Sequence, residues 1–532
     1  MGILFVLYFN FMRFCVEINM RVCYNEINEV DVYGKMILQN KGGEFVIELY
    51  LKKADENLPE LNEDVVIPDV LHTILEKGDD LVIDLGNHYV GYFSFILGYV
   101  DEYIDAPVKL CVKFCETKRE LEDDFSTYEG SLCESWLQEE IINIDFPDVY
   151  KMPRRYAARY IKIKVLATPK KIMLSEFKFR AVSSADVTRL KNCNCKDELK
   201  KIDSVAVNTL KNCMHRVFED GPKRDRRLWI GDLRLEALTN YYTFNNLSLV
   251  RRCLYLFAAA DTNDKGFIPG YVYENPKYVS GYWFLEDYAL LFVVSVCDYY
   301  KHTEDKDTFC ELYPVIKKQM DAMHKTLGSD GIVTVLDGCG VFIDWCPGLE
   351  KTTSLHGVYL YVLDKLAGVL GLIDHEDKNI YIKRYEDAQK SAEKILYDKE
   401  KQAFLNAKDG YQYSVHSATW MVLGGVVTGK NAEKILFDSL SLADSIKPFT
   451  PYMHHYVVEA MVKLDLLKEA EEYIKKYWNG MVNLGADTFY EAYVPENPEF
   501  SPYKDRKINS MCHAWSCTPA YFIRKYFDNA EM

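Results

Sequence analysis

The feature that most limits how this chain can fold is a change in the spacing of its apolar residues near Ser183. Before that residue, apolar and polar side chains alternate, as in Val108–Phe114 and Arg159–Val165. After it, apolar residues recur every three or four positions, as in the stretch from Leu247 to Ala258. A period of two indicates half-buried strands, and a period near 3.6 indicates amphipathic helices. The chain is therefore predicted to be a β-domain followed by a helical domain.

The alternating region predicts strands separated by short, turn-rich segments. They lie at 44–51, 81–85, 89–97, 108–114, 159–165 and 175–180. Several short strands at this spacing favour an antiparallel β-sandwich, which we place at 20–183. No catalytic cluster stands out within it. Residues 1–19 are apolar but lack a basic start and a small-residue cleavage site, so we predict an N-terminal extension rather than a signal peptide or a membrane span.

The helical region, placed at 184–532, contains roughly a dozen apolar stripes. They occur near 203–218, 246–258, 284–301, 310–327, 355–373, 379–397, 431–444, 453–464, 467–478 and 514–527. Because they lack a heptad seam or a short repeat, they suggest a closed toroid or a solenoid, and the length favours the toroid. The fold class is thus α+β, with a β-sandwich followed by a helical toroid. Its long loops would line a single mouth, where function is usually found.

Charge and cysteine usage narrow the range of partners. The net charge of −16 argues against nucleic acid, because phosphate binding needs clustered Lys and Arg, whereas a neutral sugar is compatible with it. The fifteen cysteines have no regular spacing, which favours reduced thiols and a cytoplasmic location. We predict no metal, no cofactor and no membrane association. The sequence leaves open whether the chain forms a homodimer.

The segment from Asp220 to Asp232 concentrates three carboxylates and a tryptophan. The pair Gly221-Pro222 prevents a regular helix at its start, so the segment is predicted to be a shaped loop. On such a loop Asp220, Asp225 and Asp232 could converge on one ligand beside Trp229. The alternative is a solvated charge run, since the segment also holds basic residues that could neutralise the aspartates at the surface. They are Lys223, Arg224, Arg226 and Arg227.

Three further segments of the helical half pair an aromatic residue with a carboxylate. They are 281–287 with Trp283, 341–348 with Trp345, and 485–493 with Tyr490. An aromatic ring offers a platform to the C–H groups of a sugar, while carboxylates accept hydrogen bonds from its hydroxyls. One such pair is more often structural, but four in one half of a chain favour a carbohydrate site.

On these residues the sequence resembles the inverting α-L-rhamnosidases of glycoside hydrolase family 78. Their hallmark segment has the form Asp-Cys-Pro-x-Arg-(Glu or Asp)-x-x-Gly-Trp-x-x-Asp at the first long loop of an (α/α)6 barrel. The positions that match without a gap are Asp220, Pro222, Arg224, Asp225, Trp229 and Asp232. Two positions depart, with Gly221 in place of Cys and Leu228 in place of Gly. Supporting similarity lies at 84–92, 450–456, the Glu491 loop and His513-Ala-Trp515.

The resemblance implies a role for each matched residue. Asp225 matches the general acid that protonates the glycosidic oxygen, and Glu491 matches the general base that activates water. The positions expected to shape the sugar subsite are Asp220, Arg224, Trp229, Asp232 and His513, with Asp344 and Trp345 completing its wall by analogy. Inversion needs two carboxyls about 6.5–9.5 Å apart, which suits a pair from loops distant in sequence.

The resemblance predicts an exo-acting hydrolase that releases terminal α-L-rhamnose, or a closely related sugar, from a carbohydrate substrate. Many relatives carry Glu where this chain has Asp225, whose side chain is shorter by about 1.5 Å. Either the loop lies closer to the substrate or the preferred glycoside differs. Two alternatives stay open at this stage, namely a carbohydrate-binding protein with weak or no activity, and an (α/α)6 glycosidase for another sugar.

Overall fold

The computed structural model describes residues 44–528 except 56–57, 59, 68–71, 102 and 275–276. The predicted extension at 1–19 and residues 20–43 of the predicted β-domain lie outside the described residues. Within the described part, an antiparallel sheet domain precedes a helical domain, which confirms the predicted fold class.

The first described element corrects the prediction of a strand at 44–51, because this segment is the helix α1, Glu44–Ala54. Tyr50 and Ala54, one turn apart, are both buried. The Tyr50 ring lies 6.0 Å from that of Tyr255, and its hydroxyl donates to the Glu311 carbonyl over 2.8 Å. The helical domain therefore supplies the apolar partner that selects a helix, where local alternation alone suggests a strand.

The β-domain is one eight-stranded sheet in which all neighbours are antiparallel. Its strands are β1 Leu61–Val65, β2 His72–Leu75, β3 Asp80–Tyr99, β4 Val108–Cys115, β5 Glu139–Ile144, β6 Asp148–Lys151, β7 Tyr156–Ala167 and β8 Ile172–Ser183. The order is β1-β8-β3-β7-β4-β5, with β2 paired to β8 and β6 to β3. The long strand β3 passes from β7 to β8 near Gly91, so its two halves pair with different neighbours.

The apolar faces of these strands enclose a single core. Phe93 packs edge-on against Phe114 at 5.9 Å and is stacked with Phe177 at 6.3 Å between ring centroids. Between β4 and β5, three short 3-10 helices lie at Lys118–Glu122, Phe125–Thr127 and Glu134–Trp136. This connection faces the helical domain and, as described below, reaches the candidate site.

Twelve α-helices form the described helical domain. They are α2 Asp197–Cys213, α3 Ile230–Tyr242, α4 Leu247–Ala258, α5 Glu286–Thr303, α6 Lys306–His324, α7 Thr352–Leu372, α8 Lys378–Ile395, α9 Val415–Leu423, α10 Gly429–Ser441, α11 Pro451–Lys463, α12 Leu467–Asn483 and α13 Pro519–Tyr526. The short strands are β9 Leu228–Trp229, β10 Tyr271–Tyr273, β11 Val279–Ser280, β12 Tyr397–Asp398 and β13 Ala403–Phe404.

Five of these helices and one 3-10 helix form a closed inner ring. Helix α3 contacts α5, α5 contacts α7, α7 contacts α9, and α9 contacts α11. The 3-10 helix Ala514–Cys517, which leads into α13, touches both α11 and α3 and so closes the ring. The helices between them in sequence lie outside, which gives the predicted toroid.

Helices α3 and α9 have no counterpart among the predicted stripes. Every residue of α3 from Ile230 to Tyr241 is buried, including Asp232, Arg234 and Glu236. A helix surrounded on all sides has no solvent-facing stripe, so its period is not visible in the sequence.

Among the described residues, only α7 is long and apolar enough to cross a membrane. It is an inner helix of the ring, and 72% of its most apolar window is buried.

Candidate active site

The loops that precede the inner helices surround a cavity of about 420 Å³. Trp229, Leu285, Lys351 and His513 line it at the starts of four ring elements, and Leu132 comes from the β-domain. Of the nine predicted site residues, eight line this cavity: Asp220, Arg224, Asp225, Trp229, Asp232, Trp345, Glu491 and His513. Residues from four distant parts of the chain therefore meet at one place.

The segment from Asp220 to Arg227 forms a closed loop. The Asp220 N–H donates to the Arg227 carbonyl over 3.0 Å, and the Arg227 N–H donates to Asp220 Oδ1 over 3.1 Å. At the tip, Asp225 and Arg226 have φ angles of 59° and 53°, a left-handed conformation that is unusual for residues with side chains. Such conformations concentrate at functional sites. The alternative of a solvated charge run is wrong, because Lys223 and Arg224 are buried.

The predicted loop is shorter at its carboxyl end than the sequence suggested, because helix α3 begins at Ile230. Trp229 is the N-cap residue, and Asp232 lies in the first helical turn rather than on the loop. The Trp229 ring packs 4.6 Å from Tyr271 and 6.0 Å from Trp283, which forms an aromatic wall. The side chain of Asp232 still faces the cavity beside His513, whose Nε2 lies 3.2 Å from Asp232 Oδ1.

Glu491 is held by three donors. Arg224 Nη2 donates to Oε2, the Tyr503 hydroxyl donates to Oε1 over 2.5 Å, and the Ser510 N–H donates to Oε2 over 3.2 Å. Burial acts to raise the pKa of Glu491, but the Arg224 guanidinium, His513 and the Tyr503 hydroxyl outweigh it and hold the pKa below its usual range. Glu491 is therefore a buried carboxylate that stays ionised.

Arg224 separates the two predicted catalytic carboxyls. Its Nη1 lies 3.8 Å from Asp225 Oδ1, while its Nη2 bonds Glu491. The Arg224 side chain is almost fully buried, whereas that of Asp225 is 20% exposed. Asp225 and Glu491 thus face one cavity, with the Arg224 guanidinium between their carboxyl groups.

Among the carboxyls that line the cavity, Asp220 and Asp232 have a raised pKa. Burial, together with the charges of Asp225 and Asp232, raises the pKa of Asp220 well above its ordinary value, against the opposing charge of Arg224. Burial also raises the pKa of Asp232, although His513 opposes the change. The cavity therefore places the ionised carboxylate of Glu491 near Asp220 and Asp232, which hold their protons more tightly than usual.

The cavity also holds polar atoms without a hydrogen-bond partner among the described residues, namely Trp345 Nε1 and His513 Nδ1. Buried polar atoms are nearly always paired, so unpaired ones clustered at a cavity mark positions where a ligand would bond. A ligand rich in hydroxyls can serve both donors and acceptors, as these atoms require.

The prediction that Asp344 forms part of the wall of the sugar subsite is wrong, because this residue does not line the cavity. It is buried beneath the loop, and its oxygens accept from His416 Nε2 at 2.7 Å, the Phe449 N–H at 2.8 Å and the Thr450 hydroxyl at 2.7 Å. With its lone pairs occupied, Asp344 fixes the loop that carries Trp345. Asp287 acts similarly, since it accepts from the N–H groups of Phe342 and Ile343.

The sequence did not identify several residues of this site. Tyr503 lies in a segment without helical or strand pattern, and Leu132 comes from the domain in which no site was expected. The other additional lining residues are Trp283, Leu285, Tyr288, Gly340, Val341, Phe342, Lys351 and Trp515. Some of these stand in segments that the sequence had marked, namely Trp283, Leu285, Val341, Phe342 and Trp515.

Family models match both domains of the chain. The glycosyl hydrolase family 78 alpha-rhamnosidase N-terminal domain matches residues 58–184. The bacterial alpha-L-rhamnosidase 6 hairpin glycosidase domain matches residues 189–527, more than half of the chain. The chain belongs to glycoside hydrolase family 78. It is therefore a glycoside hydrolase, and the alternative of a binding protein on the same scaffold is not supported.

Solved rhamnosidase structures are similar over most of the chain. A rhamnosidase from Klebsiella oxytoca with rhamnose bound is 36% identical, covers 90% of this chain and 98% of its own, and has a TM-score of 0.86. The rhamnosidase of Bacillus sp. GL1 has a TM-score of 0.70 at 22% identity, covering 89% of this chain and 48% of its own. At this identity the second likeness concerns the fold. No curated protein matches the chain.

Proposed function

We propose that this family 78 enzyme is an inverting exo-α-L-rhamnosidase, with Glu491 as general base and Asp225 as general acid. The observation that carries the proposal is the difference between the surroundings of Glu491 and those of Asp225, which lie on either side of Arg224. Glu491 stays ionised and is held rigidly by its three donors. Asp225 is partly exposed at the tip of a strained loop, with its nearest cations 3.8 Å away.

In the proposed reaction, Glu491 removes a proton from a water molecule whose oxygen bonds to the anomeric carbon. The bond from that carbon to the glycosidic oxygen breaks, and Asp225 transfers its proton to the departing oxygen. The two carboxyls must stand apart to leave room for the water. The position of Arg224 between them supports that separation.

The lining of the cavity supports rhamnose as the sugar. Polar atoms of Asp232, Trp345 and His513 face an interior that also contains Leu285, Val341 and Phe342. A 6-deoxy sugar has hydroxyls on its ring and a methyl group at one end, so it fits a lining of both kinds. The volume of about 420 Å³ is at the small end of ligand pockets, which favours a terminal sugar.

The leaving group separates the two catalytic roles. An activated aryl rhamnoside departs without much protonation, whereas an alkyl rhamnoside needs the acid. Asp225→Asn is therefore expected to lower the alkyl rate by about 10²–10⁴-fold and the aryl rate much less. Glu491→Gln should lower both rates comparably. Parent rates in both variants would refute the assignment.

The stereochemistry and the sugar are tested independently of these variants. The first product observed by proton NMR should be β-L-rhamnose, the inverted anomer, and an initial α-product would contradict inversion. A panel of aryl glycosides distinguishes rhamnose from other sugars. Faster turnover of another aryl glycoside would favour a different specificity on the same fold.

A further inference from the structure

A buried ion cluster connects the β-domain to the candidate base. Lys223, on the Asp220 loop, donates to Glu120 Oε1 over 2.6 Å and lies 3.8 Å from Glu116 Oε2. Glu116 and Glu120 both belong to the connection that follows β4. All three side chains are at most 2% exposed. This depth is costly for charges unless each is paired and hydrogen-bonded.

The remaining bonds of Lys223 reach the segment that carries Tyr503 and Ser510, two of the three donors to Glu491. Its Nζ donates to the carbonyls of Lys507 at 3.2 Å and Asn509 at 3.1 Å. Between these two, the Ile508 carbonyl accepts from Arg224 Nε over 2.8 Å. Three successive carbonyls are thus held by two adjacent side chains of one loop.

The next residue in this segment binds the base directly. The Ser510 N–H donates to Glu491 Oε2, and the Glu491 N–H donates to the Ser510 carbonyl over 3.0 Å. Glu116 reaches the same segment, since its Oε2 accepts from the Met511 N–H over 2.7 Å. The β-domain therefore contacts Lys223 through Glu120 and contacts the segment that bonds Glu491 through Glu116.

A histidine of the β-domain also belongs to this cluster. His88 of β3 lies 3.2 Å from Glu116 Oε1. Burial opposes its protonation, but Cys512 and Glu116 raise the pKa of His88 to about 9. The cluster thus brings His88, Lys223 and Arg224 against the carboxyl groups of Glu116, Glu120 and Glu491. Loss of one member leaves a buried charge without its counterpart, which is a strong perturbation.

We propose that Lys223, clamped by Glu116 and Glu120 of the β-domain, is a positioning residue that fixes Arg224 and the 507–510 segment against the base Glu491. The β-domain is then a structural part of the active site rather than an accessory module. Lys223 acts through its neighbours and does not line the cavity. This inference rests on the proposed role of Glu491.

The test uses the full chain with an activated aryl rhamnoside, so that the rate depends mainly on the base. Lys223→Met and Glu120→Gln should each lower kcat by about 10-fold to 100-fold while KM changes less than about twofold, because small displacements of a catalytic group have effects of this size. Lys223→Arg keeps the charge and should recover most of the kcat lost in Lys223→Met.

Lys211→Met is the matched control. Lys211 also pairs across the domains, with Glu63 of β1 at 3.1 Å, but it touches none of the groups around Glu491. Its kcat should equal that of the parent. If Lys223→Met does not fold, Glu120→Gln, which retains an acceptor of the same shape, carries the test.

The outcomes separate this inference from the proposed function. If Glu491→Gln is inactive but folded Lys223→Met and Glu120→Gln keep the parent kcat, the positioning role is overturned and the base assignment stands. A raised KM with unchanged kcat would also overturn it. If Glu491→Gln keeps the parent activity, the proposed function itself fails.

Discussion

Replacing Tyr503 with Phe removes one hydroxyl from the surroundings of Glu491 and leaves the ring in place. The hydroxyl donates to Glu491 Oε1 over 2.5 Å. The ring packs 4.3 Å from the Arg224 guanidinium and 5.8 Å from the Trp345 ring, and Phe preserves both contacts. The substitution therefore isolates a single hydrogen bond to the proposed base.

The size of the effect follows from the energy of that bond. A hydrogen bond to a charged group contributes about 1.5–3 kcal/mol. Because the Tyr503 hydroxyl bonds the ionised carboxylate, its loss raises the pKa of Glu491, and about 1.4 kcal/mol corresponds to one pKa unit. The acid limb of the kcat/KM profile should move to higher pH by about one to two units. The plateau above that limb should change little.

The assay measures kcat/KM across the acidic and neutral range with an activated aryl rhamnoside. Tyr288→Phe is the control, because Tyr288 lines the same cavity but is not among the donors to Glu491 in the described chain. Its acid limb should coincide with that of the parent. An unmoved limb in Tyr503→Phe, or one displaced to lower pH, would refute the reasoning.

Three further predictions concern stability. His88 has a folded pKa of about 9 against an unfolded value near 6.5, so its contribution is complete below pH 6.5 and is lost as pH rises through 9. Between these pH values, the unfolding free energy of His88→Gln should therefore decrease by about 3 kcal/mol less than that of the parent. Denaturant titrations that show the same decrease in both proteins would contradict this. A Cβ at Gly221 would lie 2.8 Å from Ser510 Oγ, so Gly221→Ala should lower the unfolding free energy by about 1–3 kcal/mol. An unfolding free energy equal to the parent's would show that Ser510 moves aside without cost. Asp344→Ala should lower the unfolding free energy by about 3–5 kcal/mol, because it leaves buried donors unpaired. Asp344→Asn should have a smaller effect. A thermal midpoint of Asp344→Ala equal to the parent's would show that these hydrogen bonds are dispensable.

The sequence predicted most of the architecture because both domains follow regular apolar patterns. It failed where tertiary contacts override the pattern. The segment 44–51 alternates like a strand, yet the helical domain binds it as the helix α1 through Tyr50 and Ala54. Helix α3 was missed because it is buried on all sides and contains the charged residues Asp232, Arg234 and Glu236.

In the candidate site too, the sequence predicted some of the residues and missed others. The motif from Asp220 to Asp232 and its resemblance to rhamnosidases indicated eight residues that line one cavity. The sequence did not reveal Tyr503 as a donor to Glu491, and it suggested a ligand-facing role for Asp344, whose oxygens bond to the protein instead. Hydrogen-bond partners distant in the chain depend on three-dimensional proximity, which residue type and spacing do not encode locally.

By itself, the sequence determined the two-domain order, the toroid and the residue types that suit a sugar, because periodicity and short motifs are local properties. Only the tertiary structure decided which carboxylate stays ionised and what holds it there. That outcome depends on the burial of Glu491 beside Arg224 and Tyr503, and on the contact of Lys223 with the β-domain. Charges separated by hundreds of residues acquire their energies only when folding removes the water between them.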